Sequence, residues 1–160
     1  MTRIVLVPGV LALLPEYAGL TDPVAELRAA CLDAVGWLTA DVAVLAYPQG
    51  DRVARSLLDA TPARAGAEPS YLIVGNGSAR RSEKAPGHLD ERSFGYDDGV
   101  LAWLTGRGPA PDQDLGRDLL AELRGPHAAA ERFGPFVEPV AIDYDDDPYG
   151  VRCWVLRWER

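Results

Sequence analysis

The sequence predicts a three-layer α/β domain, with a mixed, mostly parallel sheet, helices on both faces and an antiparallel hairpin at the C-terminal end. Three observations carry this. Short apolar, β-branched runs alternate with helical stripes, and proline or glycine stops each run. The last two strand patterns follow one another with only a turn between them. The 160 residues suffice for one domain, 1–160, with a substantial core.

Arg3-Ile4-Val5-Leu6-Val7, closed by Pro8-Gly9, reads as a strand buried on both faces. Thr21 or Asp22 is expected to cap a helix, with Pro23 in its first turn and Glu26 near the third position. Its apolar stripe is Val24, Leu27, Ala30, Cys31, Ala34, Val35 and Leu38. Asp41 to Tyr47 is a second buried strand, stopped by Pro48 and Gly50. Asp51 is expected to cap a helix through Leu57-Leu58, and 61–69 is a small-residue loop. Tyr71-Leu72-Ile73-Val74 forms the third strand.

Tyr96 to Leu104 reads as a helix, 106–111 as a turn-rich connector, and Leu115 to Leu123 as helical. Gly125-Pro126 opens a helix running to Phe133. The closing strands are Phe136 to Tyr144 and Val151 to Trp158, joined by Asp145-Asp146-Asp147-Pro148-Tyr149-Gly150. The last strand carries Val151, Cys153 and Val155 on one face and Trp154, Leu156 and Trp158 on the other. Two apolar faces place it inside the sheet or against a partner chain, and the second case implies a homo-oligomer.

Sixteen basic against 24 acidic residues give a net charge of −8. That balance excludes nucleic acid and anionic membrane as main partners, since both require a basic face. Cys31 and Cys153 fall in core patterns, which suits a reducing compartment. Pro8 and Gly9 interrupt the apolar N-terminus, no cleavage site follows, and no run reaches the ~20 residues of a membrane span. The expected location is the cytoplasm.

In sheets of this kind ligands sit at the carboxyl ends of the strands, here the loops 8–20, 47–51 and 75–92. The last follows the third strand as VGNGSARRSEKAPGHLDER, 74–92. Gly75 and Gly77 let the backbone approach a ligand, and the N–H groups around Asn76 and Ser78 can face an anion. Arg80, Arg81 and Lys84 supply matching charge for a carboxylate or phosphate, or for an acidic protein segment, with His88 near the mouth. The competing reading is a solvated loop whose arginines pair with Glu83, Asp90 and Glu91.

Other chemistries find less support. Arg80 stands where a dinucleotide fingerprint needs its third glycine, and the glycine–lysine–hydroxyl order of a phosphate-binding loop is missing. Ser78 lacks the nucleophile-elbow pattern. His88 and His127 have no paired metal-ligand spacing. Asp143-Tyr144-Asp145-Asp146-Asp147 lacks the glycine and distal glutamate of a calcium loop and reads as a solvated turn.

The stretches VPGVLALLPEYAG, GNGSARRSEKAPGHLDER, FGYDDGVLAWLTGRG and DYDDDPYGVRCWVLRW, in that order, resemble the class III extradiol dioxygenase family. The fold concerned is that of the protocatechuate 4,5-dioxygenase β subunit, and the likeness is to its short actinobacterial branch. The middle stretch is the most specific. The resemblance implies the α/β fold and a ring-opening Fe(II) centre held by two histidines and a glutamate. The loop expected to bring the first histidine is Pro8-Gly9-Val10-Leu11, and the position matching the acid/base histidine is Ala79. Residues 35–70 contain no histidine for the second ligand. Alanine, glycine and valine side chains cannot bind Fe(II). The resemblance therefore implies a metal-free relative without catalytic residues, binding a small anion or a partner through 75–92. Two alternatives are an Fe(II) enzyme using His88, His127 and an aspartate of 143–147, and a structural, oligomer-forming chain anchored by Trp154 and Trp158.

Overall fold

The computed structural model describes all 160 residues. Strand β1 (Arg3–Val7) leads through two short 3-10 turns, Leu11–Leu13 and Pro15–Tyr17, to helix α1 (Ala25–Gly36). Then come β2 (Val42–Leu45), α2 (Pro48–Asp59) and β3 (Ser70–Val74). After the 75–91 loop follow α3 (Arg92–Leu104), α4 (Gln113–Asp118), α5 (Arg124–Phe133) and the strands β4 (Ala141–Asp146) and β5 (Cys153–Glu159).

The five strands form one mixed sheet in the order β2-β3-β1-β5-β4. β1 pairs in parallel with β3, and β3 with β2, while β5 runs antiparallel to both β1 and β4. Parallel and antiparallel pairings are thus evenly divided. The C-terminal hairpin is present, with a register shift between Ile142 and Tyr144. β5 lies between β1 and β4, so Trp154 and Trp158 are core residues, 0% and 1% exposed. That overturns their use as anchors of an oligomer: the interior of this chain already covers them.

Alternate strand residues divide between two apolar clusters, as the pleat requires. Val5, Val7, Leu72, Val74, Cys153 and Val155 pack with Leu27 and Cys31 of α1 and Val53 and Leu57 of α2. Ile4, Leu6, Ile73, Trp154, Leu156 and Trp158 pack with Val100, Trp103 and Leu104 of α3 and Ala129 of α5. Both cysteines are free and buried.

Several boundaries move, each for a local reason. α2 begins at Pro48, whose fixed φ suits the first helical position, so Asp51 lies in the first turn instead of capping it. Asp22 accepts the Val24 N–H at 3.1 Å and Arg28 Nε at 3.1 Å, and α1 starts only at Ala25. α4 stops at Asp118 because Leu120 adopts φ 59 and the chain leaves helical geometry. β4 starts at Ala141 instead of Phe136. Pro139 has no N–H to give a ladder, and the Phe136 ring packs edge-on to Trp103, with centroids 5.1 Å apart.

Candidate functional site

The glycine loop after β3 is interior. Gly75, Asn76, Gly77, Ser78 and Ala79 are all buried, and each of their N–H groups already has an acceptor in the chain. Gly75 donates to Val7 O, Asn76 to Glu122 O, Gly77 to Arg152 O and Ala79 to Leu119 O, all at 2.9–3.0 Å. Glu122 returns a bond to Asn76 O and Arg152 one to Ser78 O. The loop is therefore laced between a strap at 119–123 and the chain entering β5. The glycines are needed for this close approach. A Cβ at Gly77 would come within 2.5 Å of Asp97 Oδ1 and 2.8 Å of the Trp154 ring. One at Gly75 would come within 2.7 Å of Pro126.

The remaining N–H, that of Ser78, points at an anion supplied by the protein itself. Asp97, on the second turn of α3 and fully buried, accepts Ser78 N at 2.8 Å through Oδ1 and Ser78 Oγ at 2.6 Å through Oδ2. Arg81 Nη1 donates to the same Oδ2 at 3.0 Å, and Arg81 Nε reaches Asp147 Oδ2 at 2.6 Å. Burial pushes the Asp97 carboxyl above the ordinary aspartate value, against the pull of Ser78 and Arg81. The expected cradle of glycine, serine and arginine exists, but its anion is a side chain of this chain. This corrects the expectation of an external anion held by Gly75, Gly77, Ser78 and Arg81.

The other cations are placed differently from either expectation. Arg80 Nη1 donates to Asp118 O at 3.0 Å, and its Nε is enclosed without a partner. Lys84 is exposed and has no ion pair. Asp90, one expected partner of the arginines, is bonded by Arg92, which holds its carboxyl down to about 2. His88 is exposed, at φ 60, with Nδ1 3.3 Å from Glu83 O.

The carboxyl ends of β1, β2 and β3 do surround a cleft, of about 600 Å³. The three loops singled out from the sequence all contribute: Val10, Leu11 and Tyr17 from the first, Tyr47, Gln49 and Gly50 from the second, and Asn76, Ala79 and Pro86 from the third. Leu120, Ala121 and Glu122 of the strap and Tyr149 and Val151 of the hairpin complete it. The strap and the hairpin turn were not foreseen as part of a site. Arg117, also in the lining, pairs with Asp114. Glu122 accepts from Arg124 Nε at 2.8 Å, and the Arg124 guanidinium lies 3.7 Å over the Tyr47 ring.

The donors required by an iron centre do not fit. No three His, Cys, Asp or Glu side chains converge as a metal site. Val10, Leu11 and Ala79 line the cleft at the positions where the resemblance implies imidazoles. The alternative ligand set is scattered: His127 stacks on Trp103 with centroids 4.7 Å apart, and His88 lies on its outer loop. Asp143, Asp145 and Asp147 are engaged by Arg157, Arg152 and Arg81 respectively. Comparison of the chain with family models, with curated proteins and with solved structures finds no match.

Proposed function

We propose that this chain is a metal-free, non-catalytic binding domain that takes a small molecule, or a small side chain of a partner, in the cleft at the carboxyl ends of β1, β2 and β3. The observation that carries the reading is the convergence of three loops on that cleft while its lining holds no free imidazole, thiol or carboxylate. We place the chain beside the class III extradiol dioxygenase family because four stretches, in order along most of its length, resemble it. Its architecture is then three-layered, with α1 and α2 covering one face of the sheet and α3 and α5 the other. Support comes from the alternation of strand residues between two clusters that share no helix.

Metal analysis of anaerobically purified, iron-supplemented protein, together with an NMR fragment screen on the ¹⁵N-labelled chain, tests this. The outcome expected is substoichiometric metal, with fragment-induced shifts gathered on residues 9–12, 47–50, 76–79 and 149–151. Stoichiometric iron, or shifts that avoid these segments, overturns it.

A further inference from the structure

Two amide side chains in the cleft have a forced orientation. Asn76 Nδ2 donates to Gly77 O at 3.0 Å, and Gln49 Nε2 donates to Gly9 O at 3.0 Å. A carbonyl can only accept, so the NH2 group of each amide faces the backbone and the amide oxygen is the free edge. No protein donor reaches Asn76 Oδ1 or Gln49 Oε1. Asn76 is buried, yet its Oδ1 is not among the enclosed atoms that lack a partner, so that oxygen is open; Gln49 is itself exposed, and both residues line the cleft. The charged residues of the lining are already matched, Arg117 by Asp114 and Glu122 by Arg124. The cleft thus offers two uncharged amide acceptors beside Tyr17, Tyr47 and Tyr149, and its one cation, Arg117, is paired at the surface with Asp114.

Leu120 follows the end of α4, where its N–H donates to Arg117 O and that of Ala121 to Gly116 O, and it lines the cleft. It sits at φ 59, a left-handed conformation that costs a side-chain-bearing residue roughly 1–2 kcal/mol and that glycine adopts freely. The residue is 51% exposed. The bonds that end α4 account for this conformation, and they hold the Leu120 side chain as an exposed apolar wall of the cleft.

We propose that the cleft binds an uncharged, largely apolar small molecule with a hydrogen-bond-donating edge. The donor edge faces the oxygens of Asn76 and Gln49, and the apolar body lies against Leu120 and the tyrosines of the rim. This rests on the cleft being the binding site, as proposed above, and names the chemistry of its ligand. An anionic ligand would meet two acceptor oxygens and no unpaired cation, and is disfavoured.

The test uses three probes of one shape. Indole has a ring N–H, 1-methylindole lacks it, and indole-3-acetate adds a carboxylate. Each is titrated into the ¹⁵N-labelled chain. Indole should shift the cleft amides and bind roughly three- to tenfold tighter than 1-methylindole, the scale of one net hydrogen bond, with indole-3-acetate the weakest. Gln49→Leu, at an exposed position, should narrow the gap between indole and 1-methylindole. Leu120→Gly should raise or maintain the melting temperature while weakening all three probes. If no probe moves a cleft amide, the binding site itself is misplaced. If the cleft amides move but 1-methylindole or indole-3-acetate binds as well as indole, the donor-edge assignment falls while the site stands. Unchanged affinity in Leu120→Gly removes Leu120 from the ligand's contacts.

Discussion

Asp97 decides what the glycine loop is for. A carboxylate with three donors, one of them a guanidinium, is electrostatically complete and leaves no vacancy for a phosphate or a second carboxylate. Asp97→Ala would strand Ser78 N–H, Ser78 Oγ and Arg81 in a buried setting and should cost about 3–5 kcal/mol in chemical denaturation. Asp97→Asn keeps an acceptor oxygen and should cost less. The pH dependence has a definite sign. Burial holds the folded carboxyl above its ordinary value, so the folded chain keeps this proton more readily than the unfolded chain. The stability from this group is full below the ordinary aspartate value of about 4 and fades as the pH rises through the raised folded value. The margin of wild type over Asp97→Asn should therefore shrink as the pH rises above about 4. A margin that widens on that rise places the folded pKa below the ordinary value and contradicts the assignment.

At the scale of elements, Arg81 staples three segments that are distant in sequence: the β3 loop, α3 through Asp97, and the β4–β5 turn through Asp147. The two pairs are unequal. Asp97 is fully enclosed, whereas the Asp147 side chain is 34% exposed and its pair is screened by water. Asp147→Asn should cost about 0.5–1 kcal/mol, well below Asp97→Ala, and a double-mutant cycle with Arg81→Met should show the coupling. Equal losses at the two aspartates would contradict this ranking. Part of the arrangement was legible in the sequence. The three parallel strands and their loops could be read from the runs stopped by Pro8-Gly9, Pro48 and Gly75, because apolar pattern and turn residues act locally. Asp97 itself left a signal: it occupies the apolar stripe of Val100, Leu101 and Leu104, where a charge needs a buried partner. Its partner, and the strap that crosses the end of β3, are contacts over 19 and about 46 residues of sequence. No local periodicity encodes these. The helix expected through Leu123 ends early for the same reason: Leu120 leaves helical geometry and Glu122 pairs with Asn76.

For the whole molecule, the sheet order puts β3 between β2 and β1 and brings the loops after all three to one edge. The glycine loop passes beneath that edge as a structural keel, fixing the strap and the hairpin turn that form the cleft's far wall. The cations that made the loop look like an anion receptor are engaged within the chain, Arg81 by two carboxylates and Arg80 by Asp118 O, leaving Lys84 exposed. Titration of inorganic phosphate into the ¹⁵N-labelled chain, read at the Ser78 amide and the Arg81 Nε–H, tests this most directly. With Asp97 filling the cradle, both resonances should stay still at neutral pH to the highest phosphate concentration used. A saturable shift of Ser78 with phosphate would mean that the loop holds an external anion and that Asp97 yields its place.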